Sequence, residues 1–271
     1  MVQTSFSDDG PVGTVAPDGG EPGLPAAGTF GVDVLARMSH QLRSPLAGIT
    51  GLTRILLLRA RSGRVDPGKL IEQLEMIQAS ARRSMVTVER LLEAARVEVA
   101  AATGFRLVDL GVLVAEAASA PVPGGEPPVA VVRADVPPQP VLVTTDPEML
   151  SRLLREVIDN ALTFAGASEV WVRLGTGSAP VMIEVSDDGA GIADRDQARI
   201  FEAFERGRGA AHHNPDGVGM GLYLARKIAD RLGAELTLAS HPDAGSTFTV
   251  AFGQAGGLPA PAPGAGWQRG C

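Results

Sequence analysis

Between Val32 and Leu92 two long apolar stripes at helical spacing constrain the chain more than any other feature. Leu35, Met38, Leu42, Leu46, Ile49, Leu52 and Leu56 recur at steps of three and four, the spacing of one helical face. "RSGRVDPGK" then supplies glycines and a proline for a turn, and Leu70, Leu74, Ile77, Ala81, Met85, Val88 and Leu92 repeat the period. The pattern predicts a helical hairpin over residues 30–100, its first helix about eight turns long. One antiparallel pair cannot bury both stripes, whereas pairing with a second copy into a four-helix bundle can, so a homodimer is expected. Within the first helix, "RMSHQLRSPLAGITG" sets a lone His40 beside Gln41 and then tolerates Pro45.

The periodicity changes after the hairpin. "FRLVDLGVLVAEAA" reads as a short extended segment leading into a helix capped by Asp109. The Pro- and Gly-interrupted stretch from Pro121 to Pro140 reads as an edge strand with loops. "VLVTTDPEMLSRLLREVIDNALTFA" predicts strand, turn and helix, with Asp146 at the cap and Pro147 in the first helical position. "EVWVRL", "VMIEVSD", "AELTLAS" and "STFTVAF" alternate as strands do, and "GMGLYLARKIADRLG" is a helix stopped by Gly233. The fold class is therefore α+β: the hairpin, then an α/β sandwich over residues 105–253 with a mixed, mainly antiparallel sheet.

The 33 Gly and 20 Pro exceed what a compact fold of 271 residues needs. They concentrate in residues 1–29 and 254–271, where apolar residues are too few to offset the entropy of ordering, and both segments are expected to be disordered. A net charge of −7 gives no general attraction to nucleic acid or anionic lipid, so no nucleic-acid partner is expected and a polyanion needs a local site. The single cysteine, Cys271, excludes an internal disulfide framework and fits a reducing cytoplasm. No run approaches the ~20 apolar residues of a membrane span, and the first thirty residues lack the basic start of a signal peptide. A soluble, cytoplasmic protein is expected.

Three short segments carry chemistry. "SDDGAGI" pairs acids with glycines at a strand end, where backbone can approach a ligand and a carboxylate can accept from an exocyclic amine; alone it reads as a polar turn. "DGVGMGLYLARK" opens a helix with glycines whose free amides favour phosphate, without the Walker pattern. "EVIDNALTF" sets Glu156 and Asn160 four apart on one helical face, two oxygen donors suited to a hard cation, or simply a solvated face.

Taken in order, these segments resemble the boxes of the sensor histidine kinases. "SHQLRSPL" looks like their phosphoacceptor box, "EVIDNALTF" like the asparagine box and "DDGAGI" like the first glycine box. "RIFEAFER" looks like the phenylalanine box, "GVGMGL" like the second glycine box and "GSTFTV" like the closing strand motif, so that the resemblance covers about residues 31–252.

The resemblance implies that the hairpin is a dimerisation and histidine phosphotransfer domain, followed by an ATP-binding domain shared with gyrase-type and chaperone ATPases. His40 would be the phosphoacceptor, and the acceptor of its phosphoryl group an aspartate on a response regulator. Asn160 and Glu156 would hold Mg2+ on the phosphates of ATP, and Asp187 would accept from the adenine amino group, with Gly189 and Gly191 shaping that wall. Thr247 would support the base. Gly217, Gly219 and Gly221 would let a lid over about residues 207–216 close, and Arg206 would add positive charge near the phosphates. His212 and His213 in that lid have no third ligand and read as solvated.

Three positions depart from the family pattern. Gln41 stands where an acid usually follows the histidine; its carbonyl can orient the ring but cannot take a proton, and a missing general base costs about 10²–10⁴ in rate. Ser44 stands where Thr or Asn often positions water for dephosphorylation, and Thr163 where a lysine often contacts phosphate. Beside an active kinase, two readings therefore stay open: a phosphatase-biased ATP-binding scaffold, and a related ATPase or serine kinase in which Glu156 activates water or a hydroxyl.

Overall fold

The computed structural model describes residues 32–63, 66–99, 104–120, 131–165, 169–175, 180–207 and 217–253. The arms expected over 1–29 and 254–271, and the lid beyond Gly207 with His212 and His213, lie outside the described residues.

Helices α1 (Val32–Arg61) and α2 (Pro67–Val99) form the hairpin. Pro45 lies inside α1, which runs through it; the missing N–H takes one bond from the Gln41 carbonyl, so the ladder is interrupted beside His40. Gly48 faces α2, where a Cβ would stand at ordinary contact distance, 4.0 Å, from Ser80 Oγ. Of the two stripes, Leu42, Ile49, Leu52, Leu56, Leu70, Ile77 and Ala81 are partly buried. Leu46, Leu74, Met85 and Leu92 remain at least half exposed, because the seam of one helix pair is narrower than the apolar stripe it is cut from.

The second unit begins with β1 (Arg106–Asp109) and α3 (Leu110–Ser119). Asp109 accepts from Gly111 N–H at 3.0 Å, capping α3, and from Val141 N–H at 3.1 Å, tying that cap to the segment before β3 (Leu142–Thr145). β1 and β3 pair antiparallel as a separate two-stranded sheet. The main sheet contains β2 (Val131–Asp135), β4 (Glu169–Gly175), β5 (Val181–Asp187), β6 (Ala234–Ser240) and β7 (Ser246–Phe252), in the order β2-β4-β5-β7-β6. β2 runs parallel to β4 at the edge, and the other pairings are antiparallel.

α4 (Pro147–Phe164) starts as its sequence dictates: Asp146 accepts from the N–H groups of Glu148 and Met149, and Pro147 fills the first position without wasting a donor. A four-residue helix α5 (Asp194–Gln197) and a 3₁₀ turn at Arg199–Phe201 follow β5. α6 (Gly221–Leu232) ends at Gly233, whose φ of 65° is the left-handed stop that glycine adopts without a Cβ penalty. α3, α4 and α6 cover one face of the main sheet. Leu153, Leu154 and Val157 of α4 and Leu224 and Ile228 of α6 meet Ile183, Val185, Leu236, Phe248 and Val250 of the strands in one core. Each such side chain contributes about 1.5–3 kcal/mol by leaving water. Phe201 meets Phe248 edge-on at 6.3 Å, fastening the 3₁₀ turn to the sheet. On the opposite face the Arg173 guanidinium lies 5.1 Å from the Trp171 ring centre. Among the described residues no helix is long and apolar enough to cross a membrane.

Candidate active site

A cavity of about 600 Å3 opens between α4, the loop after β5, the 3₁₀ segment and the glycine run that starts α6. α4 turns Glu156, Asp159, Asn160 and Thr163 toward it, positions that share a face at steps of three and four. Asp187 enters from the end of β5, Arg206 and Gly207 from the end of the phenylalanine box, and Gly217, Gly219 and Gly221 from the run before and at the start of α6. Ile192, Ile200, Val218, Met220, Leu222 and Phe164 give it an apolar lining. A flat apolar body with a hydrogen-bonding edge and a charged tail matches this combination.

Asp187 is prepared to accept a hydrogen bond. Its carboxylate takes Gly189 N–H at 3.0 Å. Burial pushes its pKa above the ordinary carboxylate value, opposed by the N–H groups of Gly189 and Ser246. Gly191 turns the loop back with φ of 65°, and a Cβ there would sit 1.9 Å from the His241 carbonyl oxygen. Ser240 holds the loop from below: its hydroxyl accepts from Ile192 N–H at 2.8 Å and donates to the Gly245 carbonyl at 2.8 Å. Gln197 bridges the Ile192 and Ser240 carbonyls at 3.1 and 2.9 Å.

Glu156 is 7% exposed, and burial raises its pKa although Arg90 draws it down. Asp159 is raised by burial as well. Thr163 donates its hydroxyl to the Asp159 carbonyl at 2.7 Å, so the cations on this cavity are Arg90, Arg195 and Arg206 among the described residues. Among those residues no group of three or more His, Cys, Asp or Glu gathers into a metal cage. Glu156 and Asn160 are the oxygen donors on this face that would hold a hard divalent cation.

The hairpin forms part of the cavity wall. Val86 and Arg90 of α2 line it, and Arg90 Nη1 donates to Glu156 Oε1 and, at 3.1 Å, to Glu93. Glu93 also pairs with Arg152 on α4, and Lys227 on α6 reaches Glu98 on α2 at 3.1 Å. From α1, Arg37 donates to Glu202 at 2.9 Å, to Glu205 at 2.8 Å and to the Ala203 carbonyl at 3.4 Å. His40 follows Arg37 by three residues and so lies near the same face of α1. His40, Gln41 and Ser44 are exposed and do not line the cavity.

Most residues expected at the nucleotide site thus meet in one place: Glu156, Asn160, Asp187, Gly191, Arg206, Gly217, Gly219 and Gly221. Gly189 stands behind Asp187, packed so that a Cβ would lie 2.0 Å from the Phe164 carbonyl oxygen. Thr247 does not line the cavity. Ser246 is the cavity residue, paired in register with Asp187, whereas Thr247 is one step further along a strand whose side chains alternate faces and bonds Ser186 at 3.0 Å. Sequence reasoning also missed Arg90, Val86, Ser240 and Gln197. The alternation of "STFTV" against "VMIEVSD" carried the signal for Ser246; Arg90 had none, because its partner lies 66 residues away.

The family model described as "His Kinase A (phospho-acceptor) domain" matches residues 32–99, and that described as "Histidine kinase-, DNA gyrase B-, and HSP90-like ATPase" matches residues 145–255. The signal transduction histidine-protein kinase BarA of Escherichia coli K12 is 28% identical over 237 residues, covering 80% of this chain and 24% of that protein. The chain thus spans about a quarter of that relative's length. Among solved structures, the Acinetobacter baumannii histidine kinase AdeS aligns with a TM-score of 0.53 at 20% identity, covering 80% of this chain and 98% of the other. Full-length ShkA aligns with a TM-score of 0.53 at 24% identity, covering 81% and 45%. These likenesses share the hairpin and the helix-covered mixed sheet. With both domain models in the family's order and the boxes gathered on one cavity, the chain belongs to the sensor histidine kinases.

Proposed function

We propose that this chain is a cytoplasmic, ATP-dependent protein-histidine kinase that phosphorylates His40 and passes the phosphoryl group to an aspartate of a response regulator. The observation that carries this reading is the cavity itself, which joins Asp187, Asn160, Glu156 and a glycine-opened helix, beside a helix that presents His40 and is tied to the phenylalanine box by Arg37. The ShkA structure is a complex with AMPPNP, an ATP analogue, which supports the same ligand here.

ATP supplies the γ-phosphoryl group, and magnesium screens the charge of its phosphates. Asp187 accepts from the amino group of the base, and Ser246 stands beside it where Thr247 was expected. The glycine amides at the start of α6 and Arg206 face the phosphates. A neutral His40 ring nitrogen forms the new P–N bond as the γ-phosphorus–oxygen bond breaks and ADP leaves. Gln41 orients the ring without taking its proton. The exposed Leu46, Leu74, Met85 and Leu92 supply the apolar face that a second copy would bury in a four-helix bundle.

The test is incubation with γ-labelled ATP and magnesium. Acid-labile label that disappears in His40→Ala, and forms faster in Gln41→Glu, is the expected result. Nucleotide binding without label would replace the kinase by a scaffold. Phosphate release that survives His40→Ala would make the chain an ATPase, with Glu156 activating water.

A further inference from the structure

We propose that Arg90 is a resident cation that occupies the magnesium-side carboxylate Glu156, latching the hairpin to the ATP-binding domain until magnesium and nucleotide enter together. This rests on the reading of Glu156 and Asn160 as the metal-holding pair.

The latch joins α2 to α4 across the cavity. Arg90 Nη1 bonds Glu156 Oε1, while the other carboxylate oxygen stands 3.0 Å from where a Cβ on Gly221 would be, so Glu156 is enclosed between the hairpin and the start of α6. Magnesium binds oxygen at about 2.0–2.1 Å in near-octahedral geometry. A guanidinium on the same oxygen would add a like charge at contact distance in a partly desolvated site, so ion and Arg90 exclude one another there.

Arg90 also has a second partner at hand. Its Nη1 lies 3.1 Å from Glu93, one turn on along its own helix. Displaced from Glu156, the guanidinium keeps a carboxylate without leaving α2. The other ion pairs across this joint differ in kind. Arg152–Glu93, Lys227–Glu98 and the Arg37 pairs involve partly or well exposed groups, and such pairs contribute little once solvated. The Glu156 side chain is 8% exposed, so its counter-ion decides the electrostatics of the joint. Magnesium can therefore replace Arg90 as that counter-ion, and in doing so removes the buried ion pair between α2 and α4, leaving only solvated pairs and the packing of Ala94 and Val97 to hold the joint.

The experiment uses the full chain with Cys271→Ser, spin-labelled through Glu75→Cys on α2 and Glu235→Cys on β6, both exposed. AMPPNP is added with EDTA or with magnesium; label distances are measured by pulsed electron resonance and affinity by calorimetry. The expected result is a narrow distance distribution for the free chain and with AMPPNP in EDTA, and a broad one with magnesium. Arg90→Met should be broad without ligand, and its ratio of affinities with and without magnesium should rise about tenfold, within the 5- to 150-fold range of couplings between sites. Arg90→Lys should restore the narrow distribution, which separates lost charge from lost fold. A distribution that magnesium leaves unchanged, or an unchanged affinity ratio in Arg90→Met, overturns the latch while the nucleotide reading stands. Failure of the wild-type chain to bind AMPPNP with magnesium overturns both.

Discussion

Gly191→Ala asks how much of the nucleotide loop is held by close backbone approach. Gly191 has φ of 65°, and so has Gly233 at the end of α6. Alanine in that region costs about 1–2 kcal/mol at either position. The surroundings differ: nothing lies within 4 Å of a Cβ on Gly233, whereas on Gly191 it would meet the His241 carbonyl oxygen at 1.9 Å and carbon at 2.7 Å. Restoring ordinary contact requires the loop or the His241–Gly245 turn to move by more than an ångström. That movement loosens Asp243 N–H to the Ala190 carbonyl, 2.8 Å, and Ile192 N–H to Ser240, 2.8 Å. Two such bonds at about 1 kcal/mol each, added to the conformational cost, give about 3–4 kcal/mol for Gly191→Ala against about 1–2 for Gly233→Ala. Urea unfolding followed through Trp171 fluorescence, in a Trp267→Phe background, measures both, since these are the chain's two tryptophans. With a slope of about 2 kcal/mol per molar urea, the midpoints should fall by about 1.5–2 M and by less than about 1 M. Equal midpoint shifts would refute the role given to the close approach.

Two further outcomes are expected. Burial raises the folded pKa of Asp187, so the folded chain holds that proton more tightly than the unfolded chain; the cost of burying the charge is absent below the unfolded value and grows as pH rises through the folded one. Asp187→Asn should therefore raise the urea midpoint of the ligand-free chain at pH 8 more than at pH 4, while nucleotide affinity measured by calorimetry at pH 8 falls about tenfold or more. Ser246→Val should weaken nucleotide binding and Thr247→Val should leave it unchanged; the reverse ranking would return the role to Thr247.

Local chemistry was readable along the chain. Asp109, Asp146, Pro147 and Gly233 each act on backbone groups within a few residues, and the helix ends fall where they stand. The cavity was readable as a set of boxes because each lies at the end of an element that the chain order brings to one edge. Ser246, one residue before the expected Thr247, lines the cavity, since alternation reverses a side chain's face with every step and a motif's letters do not state which step faces inward. The pairing of β1 with β3 lies between segments more than thirty positions apart. Arg90 was invisible for the same reason: it sits among charged residues of a helix surface, and only the docking of two domains gives it a partner.

Arg37 binds the segment Glu202–Glu205 through three acceptors on one side of α1. On an α-helix each residue advances about 100° around the axis, so a turn of α1 by the angle of a single residue would carry that guanidinium off all three acceptors together. Sliding the helix along its axis by one residue's rise, about 1.5 Å, is within the reach of a long arginine side chain. The contact is thus far more sensitive to the rotational phase of α1 than to its height, and His40, three residues on, turns with that same phase.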